Sequence, residues 1–144
     1  MSKISAKISG DLSERMQKQS SDNYPEECCG VLIGTVENND GRNIRYLFET
    51  ENQHTDNRAR RFLIDPDDFR KAEQYAKENG CEIIGFYHSH PDHHAVPSDH
   101  DRELAWPWYL YIIISVFQGK PTSMEGWMLR DNRSGYYRVQ IEQS

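Results

Sequence analysis

The period of the apolar positions changes several times along the chain, and each change marks an element. "KISAKIS" alternates apolar and polar residues, which predicts an opening strand. In "GDLSERMQKQSSDNYPEE", Leu12 and Met16 sit one helical turn apart, which predicts a helix ending before Pro25. "CCGVLIGTVE" is nearly all apolar and reads as a buried strand, with Gly30 and Gly34 where another backbone comes close. "NNDGRN" has turn chemistry, and "IRYLFETEN" completes a hairpin. "QHTDNRARR" reads as a polar loop and "FLID" as a short strand or edge. "PDDFRKAEQYAKENG" is the clearest helix: Asp65 as N-cap, Pro66 at its first position, Phe69, Ala72 and Ala76 on one face, and Gly80 past its end.

"CEIIGFYHSH" follows as a strand that Pro91 stops, and "SDHDRELAW" begins a short helix. "YLYIIISVF", "EGWMLR" and "YYRVQIE" close the chain as strands, separated by "QGKPTSM" and "DNRSG". Strands interleaved with two or three helices predict an α+β (α/β-like) fold with a central mixed sheet flanked by those helices. A length of 144 residues suits one domain over residues 1–144.

Composition narrows the class. With 36% hydrophobic and 11% aromatic residues the chain is too apolar to be disordered. A net charge of -6 argues against a nucleic-acid binder, which needs clustered Lys and Arg. The N-terminus has no apolar core of a secretory signal, and no run reaches the roughly 20 apolar residues of a membrane span. Three cysteines, Cys28, Cys29 and Cys81, make no disulfide framework and are expected as small buried residues in a cytoplasmic protein. Trp106 and Trp108, beside an apolar strand, are expected in the core. The oligomeric state is open.

The histidines carry the chemistry. Five of the six lie within "FYHSHPDHHAVPSDHD", residues 86–101. His88 and His90 are two apart on a strand, so both imidazoles reach one side. Ser98 and Asp101 are three apart on the first turn of the next helix. Two imidazoles and a carboxylate suit an open zinc site that keeps a position for water. The same Ser98-x-x-Asp101 also fits a capping box. His93, His94 and His100 are expected as solvated loop residues, and His54 receives no role. A closed structural zinc site would need four Cys or His ligands, and the cysteines here lack that spacing. The H-x-E and P-C-x-x-C elements of zinc deaminases are absent from the sequence.

The string H-S-H-P, six residues, S, two residues, D resembles the JAMM motif of the MPN+ (JAB/MPN/Mov34) metalloproteases. Upstream, "PEECCGVLIG" supplies Pro25, Glu27, Cys29 and Gly30 in the P-x-E-x-C-G register of the compact prokaryotic members. The resemblance implies a single MPN/JAB domain of cytidine deaminase-like layers, with one Zn2+ held by His88, His90 and Asp101. It implies Glu27 as general base, with Glu26 its neighbour on the opposite face, and Ser98 as oxyanion donor. It implies a metallopeptidase cutting after the Gly-Gly tail of a ubiquitin-like or β-grasp sulfur-carrier protein. The alternatives are a deubiquitinase-like isopeptidase and a non-catalytic MPN scaffold. Neither nucleic acid nor membrane is an expected partner.

Overall fold

The computed structural model describes residues 4–37, 41–52 and 64–144. Among the described residues the seven strands are β1 (Ser5–Ile8), β2 (Cys29–Val36), β3 (Arg42–Thr50), β4 (Glu82–Pro91), β5 (Leu110–Phe117), β6 (Lys120–Leu129) and β7 (Tyr136–Gln143). The helices are α1 (Gly10–Asn23), α2 (Pro66–Glu78) and α3 (Asp99–Leu104). Local chemistry explains their ends. The Ser9 side chain caps α1 by accepting the Leu12 amide at 3.2 Å. Asp65 caps α2 by accepting the Asp67 amide at 2.7 Å, with Pro66 at the first helical position. Gly80, just past that helix, takes φ 69.

The sheet is mixed, as expected, but it is not an open layer. In the order β1-β3-β2-β4-β5-β6-β7 it closes into a barrel, because β1 pairs in parallel with both β3 and β7. Strands dominate, so the expected layered α+β arrangement is corrected to a closed, strand-rich barrel carrying three helices. The hairpin of β2 and β3 forms as read, antiparallel from Cys29↔Thr50 to Val36↔Arg42. β6 starts at Lys120, inside the segment read as a loop; its first half is largely exposed, so it lacks the apolar residues that mark a strand. His54 and the run 58–61 lie outside the described residues, as do the first two residues of "FLID" and part of the "NNDGRN" turn.

β2 is apolar throughout because it is covered on both faces. Leu32 joins the cluster that includes Ile8, Met16 of α1, Ile84 and Tyr87, whereas Val31 and Ile33 join Ala72 and Ala76 of α2. Along β4 the pairing skips from Gly85 to Ile83, leaving Ile84 as an extra residue opposite the Leu32–Ile33 step. Such a bulge shifts which side chains face which side. Beyond it Tyr87 sits in the α1 cluster and Phe86 packs against the α2 cluster. His88 and His90 share the face of Phe86.

Both glycines expected at close approaches are needed there. A Cβ on Gly30 would lie 2.3 Å from the Tyr87 ring, and one on Gly34 would lie 1.8 Å from the Asn43 carbonyl oxygen. Gly34→Ala is expected to cost about 3 kcal/mol, the upper end of over-packing, since the blocking atom is backbone. Gly135→Ala, with nothing within 4 Å of the added carbon, is expected to be near neutral. Denaturant midpoints of the two variants check this; equal midpoints would refute it.

Candidate metal centre

The register of β2 against β4 places the first two predicted ligands and the acid. Cys29 pairs with His88 at the start of β2. One residue earlier the contact continues: the Cys28 amide donates to Ser89 Oγ at 2.8 Å, and the Ser89 amide donates to the Cys28 carbonyl at 3.1 Å. Continuing that register sets Glu27 opposite His90, on the face that His88 and His90 share. Glu26 therefore turns the other way; it is half-buried, while Glu27 is 3% exposed. The carboxylate of Glu27 and the ring nitrogens of His88 and His90 bring ligand atoms within 4.8 Å of one another.

The loop after β4 brings in the third ligand. The Trp127 indole N–H donates to the Ala95 carbonyl at 2.9 Å, and the Ser115 hydroxyl donates to the His93 carbonyl. These bonds fold residues 92–97 back so that α3 begins beside the end of β4. There Ser98 and Asp101 form a capping box: Ser98 Oγ accepts the Asp101 amide at 3.0 Å, and Asp101 Oδ2 accepts the Ser98 amide at 2.9 Å. The same Oδ2 lies 3.2 Å from His88 Nε2 and 3.1 Å from His90 Nε2, and the two Nε2 atoms are 3.1 Å apart. Capping and convergence on the histidines are thus one arrangement, made by one carboxylate.

The donor set fits a metal ion. His90 Nδ1 lies 2.9 Å from the His94 carbonyl oxygen, which can only accept, so Nδ1 carries a proton and neutral Nε2 presents a lone pair. With His88 also presenting a lone pair at Nε2, three electron-rich atoms would face one another at 3.1–3.2 Å, an arrangement a shared cation would stabilise. Four donors about 2.0–2.1 Å from a tetrahedral zinc stand about 3.3 Å apart. Glu27 Oε1 is buried with no hydrogen-bond partner. These residues can hold a metal ion.

Burial sets the electrostatics. Burial pushes Glu27 up to about 8; His90 pulls the other way, and Asp101 adds a smaller rise. Burial holds His88 below the ordinary imidazole value, keeping it neutral. Burial also lowers His90, but the hydrogen bond and charge of Asp101 outweigh it and the net shift is upward. Burial would raise Asp101, yet the imidazoles and the Ser98 amide hold it far below the usual carboxylate range.

All five predicted site residues, Glu27, His88, His90, Ser98 and Asp101, converge. His93 and His94 are exposed as expected, and His100 is half-buried; the reading missed that the backbone of His94 orients His90. Cys28 and Cys29 are buried and Cys81 only half-buried. Trp106 and Trp108 are not in the core: they are 65% and 41% exposed. Each instead lies beneath a guanidinium, with Arg133 5.8 Å from the Trp106 ring and Arg42 4.8 Å from the Trp108 ring. The signal was the Pro107 between them, which breaks the strand pattern before Leu110.

Two cavities meet at the centre. One of about 370 Å³ is lined by Glu27, His90, Pro97 and Ser98 among others. An apolar one of about 440 Å³ has His88 and Asp101 in its wall beside Phe69, Phe86, Leu104 and Tyr111.

At a strand end of the closed mixed barrel, two buried histidines and a half-buried aspartate form a cluster that could hold a metal ion. The chain belongs to the prokaryotic homologs of the JAB domain, whose family model matches residues 10–130. It is similar to the desampylase of Haloferax volcanii, 36% identical over 102 residues, 70% of each chain. It is also similar to the desampylase of Pyrococcus furiosus, 26% identical over 117 residues, 81% of this chain and 76% of that one. The solution structure of protein DSY2949 from Desulfitobacterium hafniense matches with a TM-score of 0.84 at 26% identity, covering 96% of this chain and 92% of the other. Among the described residues no helix is long and apolar enough to cross a membrane.

Proposed function

We propose that the chain is a zinc metallopeptidase that hydrolyses the amide bond after the C-terminal Gly-Gly of a small ubiquitin-like or β-grasp sulfur-carrier protein. The observation that carries this is the triangle of His88 Nε2, His90 Nε2 and Asp101 Oδ2, 3.1–3.2 Å on each side, with Glu27 buried opposite. Kinship with two desampylases supports a hydrolase of isopeptidase type acting on ubiquitin-like conjugates. On this reading residues 1–144 work as one domain.

His88, His90 and Asp101 would hold the metal. Zinc at such a site lowers the pKa of water toward about 7 and polarises a carbonyl. Glu27 takes the water proton and passes it to the leaving amine. Its unpartnered Oε1 and its burial suit a group that must gain and lose a proton without a competing bond. Ser98 Oγ accepts the Asp101 amide, which leaves its own proton to meet the charge growing on the carbonyl oxygen. The carbonyl of His94 keeps His90 in the tautomer that ligates.

The experiment pairs metal content with turnover. A carrier extended past its Gly-Gly is incubated with the protein before and after chelation, and products are weighed by mass spectrometry. Cleavage after the second glycine, lost on chelation and restored by zinc, is the expected result. Protein that binds the carrier but cuts it neither as purified nor after zinc is added would overturn the reading in favour of a scaffold. The second reading, an isopeptidase acting on lysine-linked conjugates, is favoured by the desampylase kinship. Faster cutting of a lysine-linked conjugate than of the linear extension would select it.

A further inference from the structure

Asp101 is presented by an element with little of its own to hold it. Helix α3 spans six residues, and none of them is buried. So short a helix gains little from its internal hydrogen bonds and needs attachments from outside to keep its place. At its N-terminus the capping box of Ser98 and Asp101 ties the first turn to itself. At its other end the attachment comes from the turn between β6 and β7. Arg133 Nη1 donates to the Ala105 carbonyl at 2.8 Å, and Nη2 donates to the Arg102 carbonyl at 3.1 Å. These are carbonyls of the kind a helix end leaves without a partner. One planar guanidinium takes both, because its donors are held in a fixed fork. The same group lies 5.8 Å from the Trp106 ring, just past the cap of the helix. Arg102 directly follows Asp101, so a bond to its carbonyl fixes the turn that carries the ligand.

The backbone at Arg133 gives a second, independent sign. It lies in the left-handed region, at φ 61. Glycine, asparagine and aspartate adopt that conformation most readily, and a long side chain does so at a cost. An arginine in the strained position is explained by what its guanidinium reaches. The turn itself is braced: the Arg133 amide donates to the Arg130 carbonyl at 2.8 Å, and the Arg130 amide donates to the Gly135 carbonyl at 2.9 Å. A braced turn on a barrel hairpin is a fixed post for a helix end. The family match ends at residue 130, before this residue.

Resting on the reading of Asp101 as a metal ligand, we infer that Arg133 is a positioning residue. It clamps the C-terminal end of α3 to the β6–β7 turn and thereby holds the Asp101 carboxylate against His88 and His90. Without the clamp α3 frays in metal-free protein, and zinc has to re-order it on binding. What is lost is preordering, not a ligand.

The test reads zinc affinity and local order, so it does not depend on turnover. Arg133→Gly removes the side chain and suits the left-handed backbone, so the turn keeps its shape. Arg133→Lys keeps the charge, but a lone ammonium lacks the planar fork. Metal-free protein is titrated with zinc against a competing chromophoric chelator, and hydrogen exchange of the α3 amides is followed without metal. Arg133→Gly is expected to bind zinc about 10-fold more weakly, the range lost when a ligand's supporting partner is removed. Its α3 amides are expected to exchange about 10-fold faster than those of wild type, with Arg133→Lys between the two. The melting temperature of the whole domain should move by less than about 3 °C, since exposed bonds are lost while backbone strain is relieved. The ligands are untouched, so saturating zinc still fills the site. Wild-type zinc affinity in Arg133→Gly would overturn the clamp. So would a loss of affinity that comes with a collapse of the domain's melting temperature, which would mark Arg133 as a structural residue only. A wild type that binds no zinc would instead sink the metal reading, and this inference with it.

Discussion

Glu27→Gln is expected to keep its zinc and lose at least about 100-fold in kcat, equivalent to about 2.7 kcal/mol of barrier. Glutamine matches the shape of glutamate but cannot take a proton from water at neutral pH. The site would stay closed around His88, His90 and Asp101, since the 3.1–3.2 Å contacts that join them run among these three residues. Metal analysis and turnover on the same preparation check both halves, and a fully active variant would remove Glu27 from the chemistry. The substitution should also change stability in a direction opposite to activity. In metal-free protein, burial raises the Glu27 carboxyl to about 8, while in the unfolded chain it titrates near the ordinary glutamate value of 4.5. A raised value means that the folded state holds the extra proton. The associated stability is fully present below about pH 4.5 and disappears as pH climbs through 8. Chelated wild type should therefore lose melting temperature relative to chelated Glu27→Gln across that window. A constant difference between the two would show that Glu27 is ionised in the metal-free fold.

Asp101→Ala is expected to weaken zinc binding by more than about 100-fold, beyond the cost of losing a mere orienting partner. Two imidazoles remain, without the anion that offsets the cation's charge. The alanine also deletes the acceptor of the Ser98 amide and should cost α3 about 1 kcal/mol. Asp101→Asn separates these losses: its amide oxygen can still cap, so it should recover the stability and not the metal. Zinc titration and thermal melts of both variants decide. Unchanged zinc affinity in Asp101→Ala would mean that the carboxylate is only a cap.

Why was the centre so legible in the sequence? It is built from short-range relations. His88 and His90 are alternate strand residues, Ser98 and Asp101 share one helical turn, and Glu27 needs only the register of two adjacent strands. Helix α2 was legible for the same reason, since Asp65, Pro66 and Gly80 act on their own neighbours. Barrel closure was not legible: it depends on β1 pairing in parallel with strands far along the chain, which no local period encodes. The first half of β6 was hidden because its exposed residues carry no apolar alternation. Trp106 and Trp108 were misread because aromatic composition reports an average tendency to burial. Here two guanidinium groups, brought in by Arg42 and Arg133, hold both indoles at the surface.

The family match spans residues 10–130, whereas β1 ends at Ile8 and β7 starts at Tyr136. A fragment cut at the match would keep every proposed ligand and yet lose both seam strands. It would bare one flank of β6 and the partnered stretch of β3, and unpaired strand flanks recruit other chains. Such a fragment should precipitate while still carrying an intact zinc triangle, so poor behaviour in a trimmed version speaks to the seam and says nothing against the chemistry.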